Sequence, residues 1–249
     1  MPEAEPPIEF PVILFQDEDI LVLQKPAGWF VYPPDYKFKG RTPMLPTVTK
    51  WLLQEHDLRA FPAHRLDAAT EGVMIFGLTK EVTAHINHQF KTRQVKKTYY
   101  AAIRGWMPEP NGVIEKPLPI ASTREIAESI TQYRTLSQIE LPYQVNSPHP
   151  TSRYAWLEVS PHTGRWHQIR RHFDMCAHPL VGDREHGDSH HNRFFRDQLG
   201  INGLCLFAAE LRLAHPTSGH ELVLTGLKTD RFRKLEELFF SKVKTTTIK

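Results

Sequence analysis

Twenty prolines punctuate this chain of 249 residues, and that spacing argues against a bundle of long helices. Proline fixes φ and has no amide hydrogen, so it opens turns and closes regular elements. Short elements joined by many irregular connections are the expected result. Ile20–Lys25 is a β-rich run closed by Pro26-Ala27-Gly28 and reads as a strand ending in a turn. Pro33–Pro46 is broken by prolines and Gly40 and reads as a loop, followed by a modest helix carrying Val48, Trp51, Leu52 and Glu55. Val73–Phe76 has the pattern of a buried strand. Thr79 is a candidate N-cap for a helix whose apolar stripe is Val82, Ile86 and Phe90.

Tyr99–Arg104, Tyr154–Val159 and Leu204–Leu213 read as further strands, and Pro108–Thr123 and Leu141–Ser152 as loops. His167–Ala177 reads as a helix with Ile169, Phe173 and Cys176 on its apolar face and Arg170 and Arg171 off it. Asp230–Val243 reads as an amphipathic C-terminal helix built on Phe232, Leu235, Phe239 and Val243. Strands and helices are interspersed without a repeating βαβ unit, which predicts one α+β domain over residues 12–244. Residues 1–11, acidic and proline-rich, and residues 245–249 are expected to be tails.

Two cysteines, Cys176 and Cys205, lie far apart, so a disulfide framework or thiolate zinc site is not expected. No apolar run has the length of a transmembrane helix and no basic leader opens the chain, which predicts a cytoplasmic protein without a membrane partner. The net charge is +3. Its distribution says more than its sum: Lys91, Arg93, Lys96 and Lys97 cluster, as do Arg165, Arg170, Arg171 and His172, and Lys228, Arg231, Arg233 and Lys234. Such clusters suit phosphates, although the last fits a solvated helix face equally well.

Three stretches carry groups suited to chemistry. His64-Arg65-Leu66-Asp67-Ala68-Ala69-Thr70-Glu71-Gly72 sets a carboxylate beside a guanidinium where a loop meets a strand. A turn cap or surface ion pair explains Asp67 about as well from this motif alone. Thr163–His172 leads through Gly164 into a helix with cations around its first turns, an arrangement for oxyanions or simply a basic helix end. Lys97-Thr98-Tyr99 opens a strand, where a tyrosine ordinarily joins the core.

Together these stretches resemble the RluA-type pseudouridine synthases, from about Ile13 to Leu227. Gln24-Lys25-Pro26-Ala27-Gly28 is similar to the family's first motif, and His64–Gly72 to its His-Arg-Leu-Asp-x-x-Thr-Ser-Gly motif. Lys97-Thr98-Tyr99, Thr163–Arg170, His178–Asp183 and Leu213–Gly219 follow in the family's order. Glu71 stands where serine is usual, and Phe207 where histidine is common. Within the family the likeness is nearest to the tRNA-modifying TruC subgroup, carried by 182–193, 150–154 and 99–106. An N-terminal S4 module is not expected.

The resemblance implies a pseudouridine synthase fold, a mixed and mainly antiparallel sheet with flanking helices and a central RNA-binding cleft. It implies isomerisation of a uridine in RNA, most closely tRNA with ribosomal RNA as the alternative, without cofactor or metal and without an obligate protein partner, by a monomer. Asp67 is the implied catalytic carboxylate, acting as nucleophile or as base. Arg170 would hold it as an anion, and Tyr99 would pack on the base and relay a proton. The uridine must leave its stack. Arg65, His64, Lys97, Arg165, His167, Gln168 and Arg171 are the implied RNA contacts, with a structural salt bridge an equal alternative for Arg65.

Two rival readings come from other classes. His186, His190 and His191 with Asp183 and Asp188 have the composition of a metal site, but Gly187 and Asp188 oppose a continuous helix there. A binding module that had lost its chemistry would not need Asp67, Tyr99 and Arg170 together.

Overall fold

The computed structural model describes residues 9–33, 46–120 and 123–241. Most of the tail expected at 1–11, most of the Pro33–Pro46 loop, and Val243 with the 245–249 tail fall outside the described residues. In chain order the elements are β1 (Val12–Gln16), β2 (Ile20–Lys25), α1 (Val48–His56), β3 (Phe61–Pro62), β4 (Glu71–Gly77), α2 (Lys80–Lys91) and β5 (Lys96–Arg104). There follow β6 (Asn111–Glu115), β7 (Leu118–Pro119), β8 (Ile126–Ala127), β9 (Ile130–Leu141), β10 (Ser152–Pro161) and α3 (Gln168–Met175). The chain ends with α4 (Ser189–Leu199), β11 (Leu206–Ala214), β12 (Glu221–Thr225) and α5 (Asp230–Phe240). The β-structure is mixed and mainly antiparallel, as the resemblance implies. Among the described residues no helix is long and apolar enough to cross a membrane.

Contacts divide the chain into two units, Met1–Tyr99 with Phe207–Leu227 and Tyr100–Leu206 with Lys228–Lys249. In the first, the strands run β1-β2-β4-β11, with β12 on β11 and β3 on β4. β2 and β4 are buried along both faces, which is why they read as continuous apolar runs rather than alternating ones. Leu21, Leu23, Met74 and Phe76 join one core with Trp29, Val48, Leu52 and Leu66. Ile20, Val22, Val73 and Ile75 face the other way onto Ile86, with Val82 and Phe90 at its edge. Thr79 caps α2, its side chain accepting from the Val82 amide at 3.1 Å.

In the second unit β10 pairs with β9 and β9 with β6. Trp156 of β10, 1% exposed, is the anchor: Phe232 and Phe239 of α5 pack on it at ring distances of 5.9 and 5.7 Å. Leu235 lies between them, fully buried. The loop expected over 108–123 instead contains β6 and β7, and α5 stops at Phe240. β6 shows little apolar character because of its five residues only Ile114 is buried.

Gly72 is closely packed against β11. Its φ is +135°, and a Cβ there would lie 2.2 Å from the Ala208 carbonyl oxygen of β11. Gly72→Ala is expected to cost about 2–4 kcal/mol through strain and overpacking. Urea denaturation checks this; an unchanged midpoint would show that β4 and β11 separate without penalty.

Candidate active site

The local structure around Asp67 begins with a buried cation. Lys25 ends the fully buried strand β2, and its ammonium donates to the carbonyls of Pro26 at 2.9 Å, Trp29 at 2.8 Å and Ala68 at 3.1 Å. Three acceptors take all three ammonium hydrogens. Burial pushes the Lys25 pKa down to about 7, with the Asp67 and Glu71 carboxylates pushing back upward. The Ala68 carbonyl also accepts from the Gly28 amide at 2.8 Å, and Gly28, at φ +87°, makes the turn after Pro26 that presents it. Lys25 and Gly28 therefore grip the residue immediately after Asp67.

The rest of the loop is fixed from the other side. Leu66 is in the core, Thr70 is buried, and the Thr70 amide closes a turn on the Asp67 carbonyl at 3.0 Å. The His64 ring stacks on Phe90 at 4.8 Å, and its Nε2 accepts from the Ile75 amide at 3.2 Å, which leaves the ring proton on Nδ1. Burial, with Lys97 adding to it, lowers the His64 pKa to about 3, so the ring is neutral near pH 7. Asp67 is left half-buried on a loop pinned at both ends.

Tyr99 of β5 shares this environment. Its phenol is raised above its ordinary value by burial first and the Asp67 carboxylate second, so it stays protonated at neutral pH. Burial lowers Lys97 to about 8. Arg65 is exposed and reaches Tyr32, donating to its hydroxyl at 3.2 Å with the guanidinium 5.6 Å from the ring centre. Glu71 and Phe207, the two departures from the family motifs, are register partners in the parallel β4–β11 pair and both are buried. A change at one position thus sits against the change at the other.

The second unit holds the remaining candidates. Arg170 was expected off the apolar face of its helix, yet it is only 3% exposed. Asp183 makes this possible with a two-pronged pair: Arg170 Nε donates to Oδ2 and an Nη donates to Oδ1, both at 2.7 Å. Glu185 accepts from the same guanidinium at 3.0 Å. Arg170 and the amides of Glu185 and His186 hold the Asp183 carboxyl below its usual range despite burial. Gln168 is turned inward. Its Oε1 accepts from the Thr163 hydroxyl and the Arg165 amide, and its Nε2 donates to Ile130 O and Thr131 Oγ1. It builds the turn into α3. Arg165 and Arg171 are half-buried, while Trp166 between them is 46% exposed and stacks on His167 at 3.9 Å.

Two residues of the metal-site composition noted in the sequence have other partners. Asp188 caps α4 and pairs with Arg104 at 2.5 Å, and His191 is bonded to the Tyr154 hydroxyl at 2.8 Å. Sequence reasoning had passed over Lys25 and Asp183 as supporting residues. The signal for Lys25 is a lysine ending a strand that opens on four apolar residues, Ile20–Leu23, where a buried charge requires partners.

Lys25→Met would leave three inward carbonyls without this donor, and is expected to destabilise the fold by about 3 kcal/mol. The sign with pH follows from linkage. The unfolded lysine keeps its proton to its ordinary 10.5 and the folded one releases it from about 7, so the unfolded state binds more protons in that window. The advantage of wild type over Lys25→Met should therefore rise with pH between those values. Denaturation at several pH values checks this, and a flat or falling difference contradicts it.

The family model for RNA pseudouridylate synthase matches residues 19–175. The tRNA pseudouridine synthase C of Vibrio parahaemolyticus is 36% identical over 239 residues, covering 92% of this chain and 94% of that protein. That of Vibrio vulnificus is 35% identical, with 91% and 94% covered. Among solved structures, human RNA pseudouridylate synthase domain containing 1 shares the fold, with a TM-score of 0.69 at 23% identity over 90% of this chain and 86% of that one. The order of motifs around Asp67 and the extent of these matches lead to one conclusion: the chain belongs to the RNA pseudouridylate synthase family.

Proposed function

We propose that this protein isomerises a uridine of tRNA to pseudouridine with Asp67 as its catalytic carboxylate. The observation that carries the reading is the Asp67 loop. A half-buried carboxylate is held by Lys25, Gly28, Leu66 and Thr70 beside a tyrosine that stays neutral. The substrate class is supported by relatives named tRNA pseudouridine synthase C that are matched along nearly their whole length.

In the reaction the bond from C1′ to N1 of the uracil breaks, the base turns while held, and a bond from C1′ to C5 replaces it. The C5 hydrogen leaves as a proton and N1 gains one, so atoms balance without an oxidant or added group. An ionised Asp67 serves either by attacking the nucleotide or by removing a ribose proton. Tyr99, kept protonated, packs against the uracil and relays the C5 proton, passing its own hydroxyl proton to solvent as it takes the new one. Arg170 is assigned to catalysis as the family resemblance implies, held in α3 by Asp183. The target must be flipped from its stack, and Arg65, exposed on the same loop as Asp67, is assigned to follow it.

Lys97, Arg165, His167 and Arg171 are assigned to the RNA, giving salt-sensitive binding. His64 and Gln168, whose side chains bond inward, act by positioning the Asp67 loop and the start of α3.

Asp67→Asn is expected to abolish tritium release from 5-tritiated uridine in tRNA while filter binding of the tRNA survives. Substantial release by this variant would refute the assignment. Arg170→Ala should lose activity at neutral pH, and near-normal turnover would remove Arg170 from the mechanism. Release from ribosomal RNA but not from tRNA would replace the substrate while leaving the reaction.

A further inference from the structure

We propose that His167, Glu185 and His186 bind a divalent ion of the zinc class. The three residues offer ligand atoms that all lie within 4.8 Å of one another. His167 Nδ1 is 3.0 Å from His186 Nε2 and 3.8 Å from Glu185 Oε2. Zinc–nitrogen bonds of about 2.0–2.1 Å in tetrahedral geometry set ligand atoms about 3.3 Å apart. The observed separations bracket that value, so side-chain shifts of a few tenths of an ångström admit the ion.

The surroundings have the features that orient metal ligands. Asp183 Oδ1 accepts from the backbone amides of Glu185 at 2.9 Å and His186 at 3.0 Å, which fixes the loop carrying both. Glu185 divides its oxygens: Oε1 accepts from Arg170 at 3.0 Å, while Oε2 faces His167. A carboxylate steadied through one oxygen and ligating through the other is a common support at metal sites. Trp166 backs the His167 ring at 3.9 Å and meets His186 edge-on at 6.1 Å, limiting the rotation of both imidazoles. Arg170, which donates to Glu185, is itself paired with Asp183, which offsets its charge beside the ion.

His167 is buried and Glu185 is 56% exposed, so an ion enters from the Glu185 side and keeps at least one position for water. Two imidazoles and one carboxylate suit zinc, cobalt or nickel better than magnesium or calcium, which prefer all-oxygen sites. The uridine chemistry needs no metal. The ion would instead tie the start of α3, with its proposed RNA-binding residues, to the 183–188 loop.

Cobalt(II) reports the site without reference to activity, because four- and five-coordinate cobalt absorbs visible light far more strongly than the six-coordinate aqueous ion. Titration of the tag-free full chain is expected to give that strong absorption at one equivalent, displaced by zinc. His186→Ala and Glu185→Gln should each weaken binding by at least about 10- to 100-fold, the cost of removing even a supporting contact at other sites. His190→Ala, on an exposed residue outside the group, should bind as wild type does. Glu185→Gln keeps the test open if His186→Ala fails to fold. Absence of the strong absorption in wild type, or its persistence in Glu185→Gln and His186→Ala, would show a plain histidine–histidine hydrogen bond and overturn the proposal.

Discussion

A lysine ammonium enclosed at the end of β2 governs the structure around Asp67. A charge taken out of water must be compensated by hydrogen bonds, and Lys25 finds them in the Pro26, Trp29 and Ala68 carbonyls. Meeting that demand requires the chain after β2 to turn back at Gly28, and requires the loop before β4 to pass close by. The same contacts hold Asp67 still. The fold of the first unit and the presentation of its carboxylate thus share one electrostatic cause.

A parallel logic governs the second unit. Arg170 is buried because Asp183 meets it with both oxygens, and Asp183 uses its remaining capacity on the amides of Glu185 and His186. Gln168 uses its amide in the same manner on Thr163, Arg165, Ile130 and Thr131. Polar residues that look in sequence like a row of nucleic-acid contacts divide into two kinds. Some build the turn into α3; others, among them Arg171 and the exposed Trp166, remain toward its surface.

What the sequence disclosed follows from which residues leave a periodic trace. β2 and β4 were legible because both faces of each are buried, so every position had to be apolar or specially satisfied. Thr79 as a cap and the Val82, Ile86, Phe90 stripe were legible for a related reason, since one helix face meets the core and one end needs an acceptor. β9 left no such trace: its two buried positions are Thr131 and Tyr133, and the rest of the strand is half-buried or exposed. The family order of the motifs made Asp67 and Tyr99 candidates, while the burial of Arg170 depended on Asp183, thirteen positions away, and no helical wheel contains that partner. The pairing of Glu71 with Phe207 likewise needed the β4–β11 register before the two departures became one feature.

If this chain makes pseudouridine in tRNA, the product itself is the most direct evidence. Pseudouridine has the mass of uridine but keeps a stable carbodiimide adduct, which halts reverse transcription. An unmodified tRNA transcript incubated with the purified protein, labelled and mapped by primer extension should gain a stop at a single uridine. A transcript that binds the protein yet gains no stop would contradict the account.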